Sequence, residues 1–217
     1  MTRQLLFRLL CVTCLLPALA SAASISALVK DHNGEPLEDA VITVHPKNGA
    51  PVKLHPGKRI IDQIDKEYVP HVLVVERGSP VYFPNKDDIR HHVYSFSAPK
   101  KFELPLYKGT PAKPVLFDKA GVVKLGCNIH DWMLGYIYVV ETPYFGKSGS
   151  DGAAKVTNLP AGEYTVTVWH PRMKGKTDKT AKIVKLAASN EARLDFSLKV
   201  RKEFLMRRAP RAGGRKY

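Results

Sequence analysis

Helical periodicity is nearly absent from residue 24 onward, and in its place the chain strings together short apolar runs rich in β-branched and aromatic residues. Residues 24–29, 40–45, 72–75, 81–83, 92–96, 122–127, 134–141, 164–169, 181–186 and 194–198 all read as strands. Turn formers punctuate them: Asn33-Gly34, Arg77-Gly78, Ala120-Gly121, Asp151-Gly152 and Ala161-Gly162. Many short strands separated this way predict an all-β fold of sandwich or barrel type.

The pattern breaks twice, and the outer pieces complement each other. Tyr164, Val166 and Val168 alternate on one strand, as do Leu194, Phe196 and Leu198 on another, so each strand has one apolar face that needs a covering sheet. The early hairpin has the same need. We therefore expect residues 24–50 and 142–199 to build one small β-sandwich and residues 51–141 to form a second sandwich inserted at a loop of the first. Closely spaced sandwich termini make such an insertion inexpensive for the host. The run Asp31-His32-Asn33-Gly34-Glu35-Pro36-Leu37 before Ala40-Val41-Ile42-Thr43-Val44 resembles the opening of the carboxypeptidase regulatory-like (transthyretin-like) sandwich. So does Asn158-Leu159-Pro160-Ala161-Gly162-Glu163-Tyr164 resemble its closing strands. That unit holds no clustered acid, base or nucleophile, which suits a scaffold or docking role. His45, His55, His71 and His170 are expected at the surface or in turns.

Both ends of the chain are distinctive. Residues 1–23 combine Arg3 and Arg8, an apolar run over 9–16, and small residues at Ala18, Ala20 and Ala22, the layout of a cleaved secretory signal. The apolar run falls short of a membrane span. Export to the periplasm is the expectation, and cleavage near Ala20 or Ala22 leaves Cys127 as the sole cysteine, with no disulfide partner. A lone thiol there is either buried or bound to a metal. Formal net charge is +14, and the segment 200–217 is a basic tail of Arg201, Lys202, Arg207, Arg208, Arg211, Arg215 and Lys216 against Glu203. Such a tail is expected to be disordered. In an exported protein it points to acidic partners or peripheral contact with an anionic membrane, and not to nucleic acid.

Chemistry concentrates in the run from Gly121 to Gly135. Alternation places Val123, Leu125 and Cys127 on one strand face and Met133, Gly135, Ile137 and Val139 on the next, so that thiol and thioether both point inward from one end of the sandwich. The short loop between them carries His130 across the top. Thiolate, imidazole and a weak thioether are the ligand types of a blue-copper electron-transfer site, whereas zinc prefers four strong ligands. A second imidazole is available upstream, from His91 or His92. Parity alone allows either.

Residues 72–140 resemble a small cupredoxin of the plastocyanin and amicyanin type. The resemblance is carried by Phe83-Pro84-Asn85, by the histidine pair before Val93, by Phe117 and Gly121, and by Cys127-Asn128-Ile129-His130-Asp131-Trp132-Met133. It implies a Greek-key β-sandwich binding one type 1 copper ion through His91, Cys127, His130 and Met133, with His91 preferred over His92 by motif register. The whole architecture also resembles exported proteins catalogued as methylamine utilisation proteins. The sequence departs from the family at His92, where asparagine is usual, at Leu125-Gly126, and at Ile129, where proline is common. Isoleucine keeps its N–H and can donate to the sulfur.

Three strong ligands and an axial sulfur leave no place for a substrate, so the expected function is an electron carrier and not an enzyme. Asp87-Asp88 read as solvated or capping groups on a turn. Trp132, between two ligands, is expected on an exposed loop as part of a docking patch for an acidic redox partner. The rival readings are a copper carrier or storage protein with the same ligands and a metal-free binding module with Cys127 in its core.

Overall fold

The computed structural model describes residues 22–49 and 51–202. The expected secretory signal and basic tail therefore lie outside the described residues, except for their inner ends. The chain opens with β1 (Ala23–Asp31) and β2 (Val41–Pro46). A run of shorter strands follows: β3 (Arg59–Ile60), β4 (Asp62–Ile64), β5 (Glu67–Val69), β6 (Val72–Glu76), β7 (Ser79–Tyr82) and β8 (His91–Ser95). Next come β9 (Phe102–Tyr107), β10 (Val115–Phe117), β11 (Gly121–Cys127) and β12 (His130–Val140). The last five are β13 (Phe145–Lys147), β14 (Ala153–Leu159), β15 (Gly162–Trp169), β16 (Lys182–Leu186) and β17 (Glu191–Leu198). A single 3-10 turn at Thr177–Thr180 interrupts this all-β chain among the described residues.

Two cores form. Sheets β14-β1-β17 and β13-β2-β15-β16 enclose Ile25, Val29, Ile42, Val44, Val166, Val168, Phe196 and Leu198. Strand β1 pairs in parallel with β17 and antiparallel with β14, joining segments from opposite ends of the described chain. Ala23, the last residue assigned to the leader, already belongs to β1 and is buried opposite Leu159. Sheets β6-β12-β11-β8-β9 and β10-β7-β3 enclose a second core around Phe83, Val93, Phe117, Val123, Leu125, Ile137 and Val139. The first core draws on residues from Ala23 to Val44 and from Ala154 to Val200, the second only on residues from Ile61 to Val139. Trp169 of β15 meets Tyr136 and Tyr138 of β12 at ring-centroid distances of 5.8 and 5.2 Å.

Several strands escape the sequence reading for a physical reason. Strand β9 contains Pro105, which cannot donate to a ladder, and it survives as an edge strand bonded only to β8. Strand β14, also an edge, opens on Ala153-Ala154-Lys155, residues with weak strand preference that are held by pairing with β1.

A glycine in β12 makes room for the tyrosine that braces β11 and β12. A Cβ on Gly135 would stand 2.8 Å from Cβ of Tyr68. The Tyr68 ring fills that space, and its hydroxyl donates to the carbonyl of Gly126 at 2.9 Å, one residue before Cys127.

His170 corrects its surface assignment. The His170-Pro171 pair does make a turn, but the ring folds inward and is only 5% exposed. Nε2–H donates to the Glu38 carbonyl at 3.0 Å, and Nδ1 accepts the N–H of Arg172 at 3.2 Å, so the neutral ring is satisfied on both sides. Burial, reinforced by Arg172, pushes its pKa down from 6.5 to about 4. The unfolded chain then binds the extra proton first, so stability is complete above the unfolded pKa and falls as pH drops between the two values. The expected loss is about 3 kcal/mol by pH 4. Urea midpoints measured from pH 7 to pH 4 should show that decline, and His170→Gln should flatten it.

Candidate metal centre

Three neighbouring strands reach the same rim of the second core. Strand β8 runs antiparallel to β11, and β11 antiparallel to β12, so the start of β8, the end of β11 and the start of β12 lie together. Those termini are His91, Cys127 and His130. Asn128 and Ile129 form the two-residue turn between β11 and β12, and the register shift after Gly126 sets Cys127 opposite His130.

Burial selects the histidine. Along β8, His91, Val93 and Ser95 are buried, while His92 and Tyr94 face outward. The His91 ring is fully buried, and His92 instead pairs with Glu103 at 2.8 Å and packs on Tyr94 at 5.6 Å between centroids. Nδ1 of His91 lies 3.9 Å from Sγ of Cys127, and Nδ1 of His130 lies 3.7 Å from it. All three donor atoms are within 4.8 Å of one another.

This spacing fits a transition-metal ion. Imidazole bonds of about 2.0–2.1 Å and a thiolate bond of about 2.3 Å in a trigonal plane separate sulfur from nitrogen by about 3.8 Å. Met133 is buried on the inward face of β12 and belongs to the same core cluster as Cys127. One thiolate and two imidazoles are the three strong donors of a type 1 copper site, in which a weak thioether such as that of Met133 completes the set.

The surroundings favour the ligand-ready thiolate. Burial opposes ionisation of Cys127, but the contact with His91 and the backbone N–H groups of His92 and Ile129 outweigh it and bring the thiol below its ordinary range. The N–H that isoleucine retains at position 129 is therefore directed at the sulfur. Burial, with His91 and Lys66 adding to it, holds His130 below the usual imidazole value. His91 is also opposed by burial, yet Cys127 and Asp87 raise it.

Trp132 differs from its sequence assignment. It belongs to β12, is half-buried, and lies 5.2 Å from the His130 ring, centroid to centroid. Asp87 was not legible as part of this site: its Oδ2 lies 2.7 Å from Nε2 of His91. Only the folded loop brings the two together, because a spacing of four carries no facing rule outside a helix.

No protein-family model matches the chain, and neither does any curated protein. Among solved structures, similarity is found to a purple cupredoxin from Nitrosopumilus maritimus, at 24% identity and TM-score 0.33, covering 38% of this chain and 99% of that one. The reduced copper(I) form of an amicyanin point mutant is 23% identical at TM-score 0.35, covering 46% and 98%. A copper-containing nitrite reductase from Thermus scotoductus is 23% identical at TM-score 0.37, covering 52% and 28%. Likenesses this distant fix neither ligand nor activity, which rest here on the donor set itself.

Calorimetric titration of the metal-free protein with copper separates the two histidines. His91→Ala should weaken binding at least tenfold, whereas His92→Ala should stay within a few-fold of the unmodified chain. The reverse order would place the ligand on the outer face.

Proposed function

We propose that the protein is an exported type 1 copper protein that carries single electrons between redox partners, with His91, Cys127, His130 and Met133 as ligands. The observation that carries this reading is the spacing of one buried thiolate and two buried imidazoles at a sandwich rim. A copper ion held there would supply a one-electron couple. The chain would do the rest: its paired strands hold the donors in one arrangement for both oxidation states, and burial of His91, Cys127 and Met133 keeps water from the sulfur.

With three strong donors and a thioether around the ion, no position is left for a substrate, which favours a carrier over an enzyme. His130, with Trp132 beside it, is the proposed point of electron entry and exit. The net charge of +14 supports an acidic redox partner drawn by long-range attraction, and the basic tail supports peripheral contact with an anionic membrane. The leader supports a periplasmic location. The first sandwich is proposed as a carboxypeptidase regulatory-like scaffold, in the manner of the exported proteins catalogued with methylamine utilisation.

The direct test is an absorption and paramagnetic-resonance spectrum of the mature protein after copper addition. An intense thiolate-to-copper(II) band, lost in Cys127→Ser, is expected. A protein that holds copper(I) tightly but stays colourless under oxidant would be a carrier or storage protein instead. Ile129→Pro removes one N–H from the sulfur and should lower the reduction potential by redox free energy of the order of 1 kcal/mol; voltammetry reads the shift.

A further inference from the structure

Asp87 sits in the loop between β7 and β8, and both oxygens of its carboxylate are occupied as acceptors. Oδ1 accepts the N–H of Asp65 at 2.7 Å; Oδ2 accepts the N–H of Lys66 at 2.9 Å and lies 2.7 Å from Nε2 of His91. Asp65 and Lys66 are the two turn residues between β4 and β5. Both have left-handed φ, 53° and 61°, the backbone of a type I′ hairpin turn. The loop carrying Asp87 is itself pinned: the N–H of Asp87 donates to Asn85 Oδ1 at 3.0 Å, and Asn85 Nδ2 donates to the carbonyls of Ile89 and Tyr107 at 2.8 Å each.

An ionised carboxylate can only accept, so the His91 ring presents Nε2–H to it, and whenever the ring is neutral, as a metal ligand must be, its lone pair stands on Nδ1. Nδ1 is the atom that faces Cys127. We infer that Asp87 is a positioning residue of the metal centre: it fixes the tautomer and orientation of His91, and its negative charge favours the more oxidised state of a metal bound at Nδ1. Outer carboxylates act on metal-bound imidazoles in this way generally. The inference rests on the copper reading of the site. Only an electron enters or leaves; Asp87 transfers neither atom nor proton.

An amide cannot replace this carboxylate, because three N–H donors converge on two acceptor oxygens, and asparagine offers one acceptor and one donor. A residue that merely buttressed the hairpin would affect both oxidation states alike. That difference makes the role testable.

Two measurements test it on the full chain. In the metal-free protein, nitrogen-15 NMR of the neutral His91 ring should show the proton on Nε2; a proton on Nδ1 with Nε2 bare would overturn the inference, and this reading needs no variant. In Asp87→Asn, copper(II) affinity should fall 10- to 100-fold, and copper(I) affinity much less. A tenfold fall in the ratio of the two affinities appears as a rise of about 59 mV in midpoint potential. A variant that folds, binds copper and keeps the ratio of the unmodified protein overturns the inference while leaving the copper reading intact. An unmodified protein that binds no copper refutes the copper reading and the redox role of Asp87 with it. Should Asp87→Asn fail to fold, the tautomer measurement decides alone.

Discussion

Side-chain parity along three adjacent strands is the constraint on which the site depends. Successive residues of a strand point to opposite faces, so once Val93, Leu125 and Ile137 are committed to the core, the inward set at the rim is determined. His91 precedes Val93 by two, Cys127 follows Leu125 by two, and Met133 precedes Ile137 by four. Antiparallel pairing of β8 with β11 and of β11 with β12 then brings those strand ends to one place. A one-residue slip of β8 would turn His92 inward in place of His91 and move Val93 out of the core. The apolar core and the inward setting of His91, Cys127 and Met133 are thus two results of one register, and the register shift after Gly126 adds His130 from the turn.

Polar groups at such a rim are for the most part satisfied. Cys127 receives backbone N–H groups from His92 and Ile129, and His91 meets Cys127 with one nitrogen and Asp87 with the other. Tyr68 holds the carbonyl of Gly126, and Asn85 holds those of Ile89 and Tyr107. Strands, turn and loop therefore share one hydrogen-bond framework, in which displacing any member leaves a buried donor or acceptor unpaired. A framework of this kind suits a site whose geometry should change little when its charge changes.

Much of this is legible in the residues themselves. Alternation in 121–127 and 133–139 indicates that Cys127 and Met133 face inward, and both are buried. The all-β character follows from short strands and glycine turns. The choice between His91 and His92 is not legible from parity, because either face of β8 carries apolar or aromatic residues: Val93 on one side, Tyr94 and Phe96 on the other. Pairing with β11 decides it. Asp87 reads as a solvated turn residue because its partners come from the β4–β5 turn, a tertiary contact that no local pattern encodes. His170 escapes for a similar reason: the turn signal of its proline describes the backbone, whereas the ring's destination depends on a carbonyl at Glu38.

Whether one sulfur and two imidazoles close on a single ion can be read by X-ray absorption at the copper edge of the loaded full-length protein. The expected spectrum shows an inner shell of two imidazole nitrogens and one short sulfur, with the sulfur lost in Cys127→Ser. A shell of nitrogen and oxygen alone, unchanged by that substitution, would contradict it.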